Sequence, residues 1–159
     1  MISTIEDLVS KVKSCQIDLE ITLYEAASEL DINRFETIKG IRLPRDIRDI
    51  YGFCNGFVSE FDWFRIIPLN EILENPPSNH LIGSNDFHIA EFMFYSDMWS
   101  VAISAHHSEN YTIYRKADGG QLDLTNSIIS FLDKYLSGGV DSLYKWEEDV
   151  YLEKRSKRR

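Results

Sequence analysis

Cysteine is scarce in this chain: Cys15 and Cys54 are the only two among 159 residues. A disulfide-dense secreted scaffold is therefore excluded. At this length a fold buries roughly 70% of the surface of its unfolded chain and needs no covalent staple. Each cysteine falls on the apolar side of a predicted helix. Free thiols used as small hydrophobes point to a reducing compartment. Long apolar runs are missing too, since nothing approaches the roughly 20 residues that a membrane-spanning helix requires. The opening residues Met1-Ile2-Ser3-Thr4-Ile5-Glu6-Asp7 carry no positive segment followed by an apolar run. No signal peptide is expected, and the expected location is the cytoplasm. The sequence also lacks a glycine-rich phosphate loop, His-Glu-x-x-His, Cys-x-x-Cys and Gly-x-Ser-x-Gly. Its histidines are His80, His88, His106 and His107. The adjacent pair would point to opposite faces of a strand and makes a poor chelate, and His88 near Asp86 reads as part of a short polar loop. No catalytic residue, metal ligand or cofactor site is expected, and the chain reads as a non-enzyme.

Positive charge is the next thing in short supply. The chain holds 17 Lys and Arg against 26 Asp and Glu, a net charge of −9. Five of those cations (Lys154, Arg155, Lys157, Arg158 and Arg159) fall in the last six positions, leaving twelve against 26 and a charge of −14 over residues 1–153. Acidity serves solubility in many proteins. A body this acidic also repels nucleic acid and attracts basic protein surfaces over a Debye length of roughly 8 Å.

What is present is one α+β pattern with 43% apolar and 13% aromatic residues. A single domain is expected over residues 1–153, followed by a basic tail at 154–159 that frays while complementing the last helix dipole. Ser3 and Glu6 have capping-box spacing, and Ile5, Leu8, Val9 and Val12 form a stripe, so a helix is predicted over Ser3–Cys15. A second is predicted from Thr22, burying Leu23, Ala26, Ala27 and Leu30, with a shorter turn at Asn33–Lys39 capped by Gly40. Pro44 opens a third, whose apolar face is Ile47, Ile50, Tyr51 and Cys54 and which ends at Asn55-Gly56.

The period then shifts toward two. Strands are predicted at Trp63–Ile67, Leu81-Ile82, Ile89–Tyr95, Trp99–Ala105 and Tyr111–Arg115, with a short helix at Asn70–Glu74. Short connections suggest an antiparallel meander. Ile128, Ile129, Phe131, Leu132, Tyr135 and Leu136 mark a late helix, and Asp141 is expected to cap a last one carrying Leu143, Trp146 and Val150. The class implied is α+β: a mostly antiparallel sheet of about 4–6 strands flanked by N- and C-terminal helices.

Leu43-Pro44, an amphipathic helix with an aromatic, then Asn55-Gly56 resembles a signature of the SUKH superfamily, which comprises Smi/Knr-like cell-wall-assembly regulators and bacterial immunity proteins. Three further segments follow in the same order: Phe64-Arg65-Ile66-Ile67-Pro68-Leu69-Asn70-Glu71-Ile72, Leu81-Ile82-Gly83-Ser84-Asn85, and Ser127-Ile128-Ile129-Ser130-Phe131-Leu132. The likeness runs from about Leu30 to Leu136 and departs at Phe57-Val58-Ser59, where the family often has a second glycine. The resemblance implies the SUKH fold. It also implies an intracellular antitoxin that neutralises a cognate toxin, of nuclease or deaminase kind, by binding it. The alternative is a non-catalytic regulatory scaffold or ligand-binding module on the same fold.

For such a role the expected partner is a protein toxin with a basic surface, with no direct nucleic-acid contact and no membrane. The expected contact residues are the carboxylates Glu60, Asp62, Glu71, Glu74, Asp86, Glu91 and Asp97, with Trp63 as an aromatic anchor. Phe53, Phe57, Phe61 and Trp63 crowd one region and offer one or two exposed anchors. Phe92, Phe94, Trp99 and Phe131 are expected in the core.

Overall fold

The computed structural model describes residues 2–74, 83–117 and 120–158. The first helix, α1 (Ile5–Cys15), is capped by Thr4, whose hydroxyl accepts the Asp7 N–H at 3.1 Å. The cap is thus one residue later than Ser3. Leu8 and Val12 are buried as their spacing requires.

The second predicted helix is not there. Ile21–Leu23 is instead a short strand, β1, registered on β2 (Phe57–Ser59) through Thr22 and Val58. The helix comes later, as α2 (Glu29–Lys39), with a complete capping box between Ser28 and Asp31. Gly40 ends it at φ 72°. Ala27 is buried as expected, but Leu30 stands in solvent.

The third helix, α3 (Arg45–Phe53), takes Pro44 at its N-cap and buries Ile47, Ile50 and Tyr51. Gly56 follows at φ +90°, with the Ile66 carbonyl oxygen 2.3 Å from where a Cβ would stand, so only glycine fits. Asn55 reaches across, its Oδ1 accepting the Leu69 N–H at 3.0 Å and so capping α4 (Leu69–Glu74). The Asn-Gly pair thus closes one helix and opens another.

Among the described residues the sheet has seven strands, one more than the upper end of the expected range, in the order β1 to β7, each antiparallel to its neighbour in sequence. Beyond β1 and β2 these are β3 (Phe64–Ile66), β4 (Phe87–Phe92), β5 (Asp97–Ile103), β6 (Tyr111–Ala117) and β7 (Gly120–Thr125). The predicted Leu81-Ile82 strand lies outside the described residues. β4 ends at Phe92, three residues short of the predicted end.

Helix α5 (Ile128–Leu136), capped by Ser127, lays Phe131 and Tyr135 on the sheet. Phe64 stacks on Tyr135 with ring centroids 3.9 Å apart, and Trp99 lies 6.0 Å from Phe131. The last helix, α6 (Val140–Lys157), runs through Lys154 to Lys157, where a frayed end was expected. Its cap is not Asp141. Asp62, on the turn between β2 and β3, accepts the Val140 N–H at 2.8 Å. A carboxylate at a helix N-terminus meets both free N–H groups and the positive end of the dipole.

Candidate interaction surface

In an antiparallel meander alternate connections gather at the same end of the sheet. The β2–β3 turn (60–63) and β4–β5 turn (93–96) lie at one end, beside the α1–β1 connection (16–20). Backbone bonds tie them together: the Glu60 N–H donates to the Glu20 carbonyl at 3.1 Å and the Met93 N–H to the Trp63 carbonyl at 3.2 Å. All five described non-glycine residues with positive φ lie here: Glu20 (48°), Trp63 (61°), Met93 (52°), Phe94 (54°) and Tyr95 (64°). For side chains of this size the left-handed region is disfavoured.

The left-handed run at 93–95 explains an error of periodicity. Alternation would place Phe94 on the same face as Phe92, in the core. The chain turns instead, and Phe94 is 81% exposed. Its ring stacks on Trp63, itself 48% exposed, with centroids 6.1 Å apart and planes at 27°. Phe61 and Met93 are also exposed. Phe57 is buried and Phe53 is half-buried. Of the anchors expected, Trp63 and Phe61 are exposed, and Phe94 joins them against expectation.

The expected contact carboxylates divide. Glu60 and Glu74 are exposed. Glu91 is buried and accepts from Arg65 Nε at 2.6 Å and from the Tyr95 N–H at 2.7 Å. Glu71 pairs with the same guanidinium and accepts the Tyr95 hydroxyl at 2.7 Å. Burial pushes the Glu71 carboxyl up, but the bonds from Arg65 and Tyr95 outweigh it and hold the group below its ordinary range. Burial, then the bond to Glu71, pushes the Tyr95 hydroxyl up. These four side chains fasten the strained turn from beneath.

Asp62 accepts from the Phe64 N–H and the Tyr135 hydroxyl, each at 3.1 Å, as well as from Val140. Asp97 accepts the Tyr144 hydroxyl and lies 3.1 Å from Arg115. Arg115 also faces Glu147, 3.5 Å away, which accepts the Trp99 indole N–H at 2.6 Å. Burial holds the Glu147 carboxyl above its usual range despite Arg115. Asp86 is elsewhere: buried before β4, it accepts the Tyr114 hydroxyl at 2.7 Å and the Gly83 N–H at 3.0 Å. Asp62, Glu71, Glu91 and Asp97 therefore shape the turns from within, while Glu20, Glu60, Phe61, Trp63, Met93 and Phe94 present outward.

His88 is buried against the Ser100 hydroxyl at 2.7 Å, and His106 and His107 are solvated. Among the described residues no three His, Cys, Asp or Glu side chains gather to hold a metal ion. No described helix is long and apolar enough to cross a membrane. Exposed aromatic area, a hydrogen-bonded backbone and surrounding negative charge are features that suit a protein surface.

Compared with known families, residues 26–151 match the model of the SMI1 / KNR4 family (SUKH-1). No curated protein matches the chain. Both aromatic turns, the Asn55-Gly56 junction and most of α6 lie inside the matched range.

Proposed function

The chain belongs to the SMI1 / KNR4 family (SUKH-1), and we propose that it is an intracellular immunity protein that binds and neutralises a cognate toxin domain. The toxin is of nuclease or deaminase kind, with a basic surface. Neutralisation is by occlusion, without catalysis, in the cytoplasm.

The observation that carries this reading is the exposed Trp63–Phe94 pair on backbone-strained turns. Isolated exposed aromatics are ordinary. A stacked pair, with two further apolar side chains, on a backbone that internal carboxylates hold in place has the makeup of a binding anchor. The charge of −14 over residues 1–153 supports the choice of partner, because domains that handle phosphate backbones carry basic clefts, and opposite fields speed encounter.

The test is a pull-down with the tagged protein from its native host at low and moderate salt, followed by co-expression with whatever toxin domain is retained. Recovery of one basic toxin domain, together with restored growth on co-expression, is the expected result. If no toxin domain is retained and none is encoded beside the gene, the immunity reading falls and a non-catalytic regulatory scaffold takes its place.

A further inference from the structure

Phe94 gives the fold little. Its ring is 81% exposed and its ring contact is with Trp63. It also occupies a left-handed conformation, as do Met93 and Tyr95 on either side. Tyr95 gains from its place through its bonds to Glu71 and Glu91. Phe94 does not, and an asparagine there would relax the backbone and remove apolar surface from water. The geometry is thus more strained and more water-exposed than folding alone requires, at a point where two turns set aromatic rings side by side.

The charges at this end point to what the rings meet. Arg65 and Arg115 are each matched by two carboxylates, Arg65 by Glu71 and Glu91 and Arg115 by Asp97 and Glu147. Lys116 on β6 and Lys13 in the last turn of α1 are exposed cations nearby. Against them stand Asp18, Glu20 and Glu60, exposed on the adjoining turns, and Asp141 in the first turn of α6.

We propose that the turns 60–63 and 93–96 are the anchor of the partner interface, and that the partner's contacting segment is basic. It presents an arginine or lysine over the Trp63 and Phe94 rings while its flanking cations meet Glu20 and Glu60. This rests on the reading of the chain as a protein-binding module and adds which end binds and what chemistry it takes. Aromatic faces attract cations through the ring quadrupole, most strongly where water is displaced, and arginine also stacks flat on them. Asp62, Glu71, Glu91 and Asp97 act here as positioning residues that hold the two turns in register.

The test uses the full chain labelled with ¹⁵N, titrated with a tetra-arginine peptide and with its uncharged tetra-citrulline counterpart. The arginine peptide is expected to shift the Trp63 indole signal and the amides of 60–63 and 93–96, with the citrulline peptide about tenfold weaker. Phe94→Asn is expected to abolish those shifts, and Trp63→Asn the shifts of the amides of 93–96, while each leaves the thermal midpoint equal to the parent's or higher. Shifts spread evenly over the acidic surface, or unchanged in the two variants, would overturn the proposal.

The double variant then separates this proposal from the broader one. If it still protects cells from the co-expressed toxin, the anchor is elsewhere although immunity stands. If the parent binds the arginine peptide at these turns yet neutralises no toxin, the anchor stands and immunity falls.

Discussion

Two stacked aromatic pairs begin at adjacent residues and face opposite ways. Phe64 is fully buried and stacks on Tyr135 at 3.9 Å, at the centre of the contact between sheet and α5. Trp63 is half exposed and stacks on Phe94 at 6.1 Å, beyond the end of that sheet. The first pair turns aromatic area into folding free energy, since area removed from water stabilises by roughly 25 cal/mol per Å² and ring stacking adds about 0.5–1.5 kcal/mol. The second leaves most of that area in water on a strained backbone. Both pairs are aromatic; what differs is whether the ring area leaves water on folding or stays in it.

The largest expected effect lies on the inner pair. Phe64→Ala removes a ring touching Phe57, Trp99, Phe131 and Tyr135 and is expected to cost about 3–5 kcal/mol, read from denaturant unfolding. Binding would be lost with the fold. Next is the fastening between the pairs. Glu91→Ala leaves the Tyr95 N–H and Arg65 Nε without their acceptor, with an expected cost of about 2–3 kcal/mol and faster hydrogen exchange at the Tyr95 amide.

Glu71 tests the same fastening through pH. Its folded carboxyl titrates below its unfolded one, so the native state binds its proton less readily. The stability it confers is present above the unfolded value near 4.5 and is lost as pH falls through the folded value. Glu71→Gln is expected to flatten that acid limb in thermal unfolding followed from pH 6 to pH 3. Glu147, raised by burial, contributes with the opposite sign. Its part is fully present below the unfolded value and is lost as pH rises through the folded one. The smallest effect should be on the outer pair. Phe94→Asn is expected to stabilise by up to about 1 kcal/mol, a rise in Tm of about 2–4 °C, while abolishing the arginine-peptide shifts. A clear fall in Tm would show that the outer pair supports the fold, and the contrast would collapse.

Elements that announce themselves locally were legible. The Pro44 start, the Ile47-Ile50-Tyr51 face and the strand through Trp99 and Val101 all lie within a few residues, although Met98 and Ser100 are buried too, so the expected one-sided alternation does not hold there. The α+β class and the SUKH membership followed from such segments in order. β1 was not legible because Ile21–Leu23 is a strand only by virtue of Phe57–Ser59, more than thirty residues away. β7 carries Gly120, Gln121 and Asp123 and lies at the sheet edge, where packing selects weakly for apolar residues.

The surface was half legible. Trp63 and Glu60 are exposed, but carboxylates look solvent-bound from sequence, and nothing near Glu91 or Asp62 announces Arg65, Tyr135 or Val140 as partners. Phe94 was lost to the period-two rule, which holds only while the backbone stays extended. The run Met93-Phe94-Tyr95 contains no residue that favours left-handed φ, so composition carried no warning of the turn.

Helix α6 sets off from Asp62, beneath the aromatic turns, and ends with Lys154, Arg155 and Lys157, all exposed. Eighteen residues span about 27 Å. The helix therefore separates an anionic pole from a cationic one, as a permanent electric moment fixed in the body of the protein. A strongly basic partner of the kind proposed would exert a torque as well as an attraction, swinging the cationic tip away and bringing the aromatic end round before contact. Orientation would then be settled during diffusion, so that a larger share of first collisions would be productive.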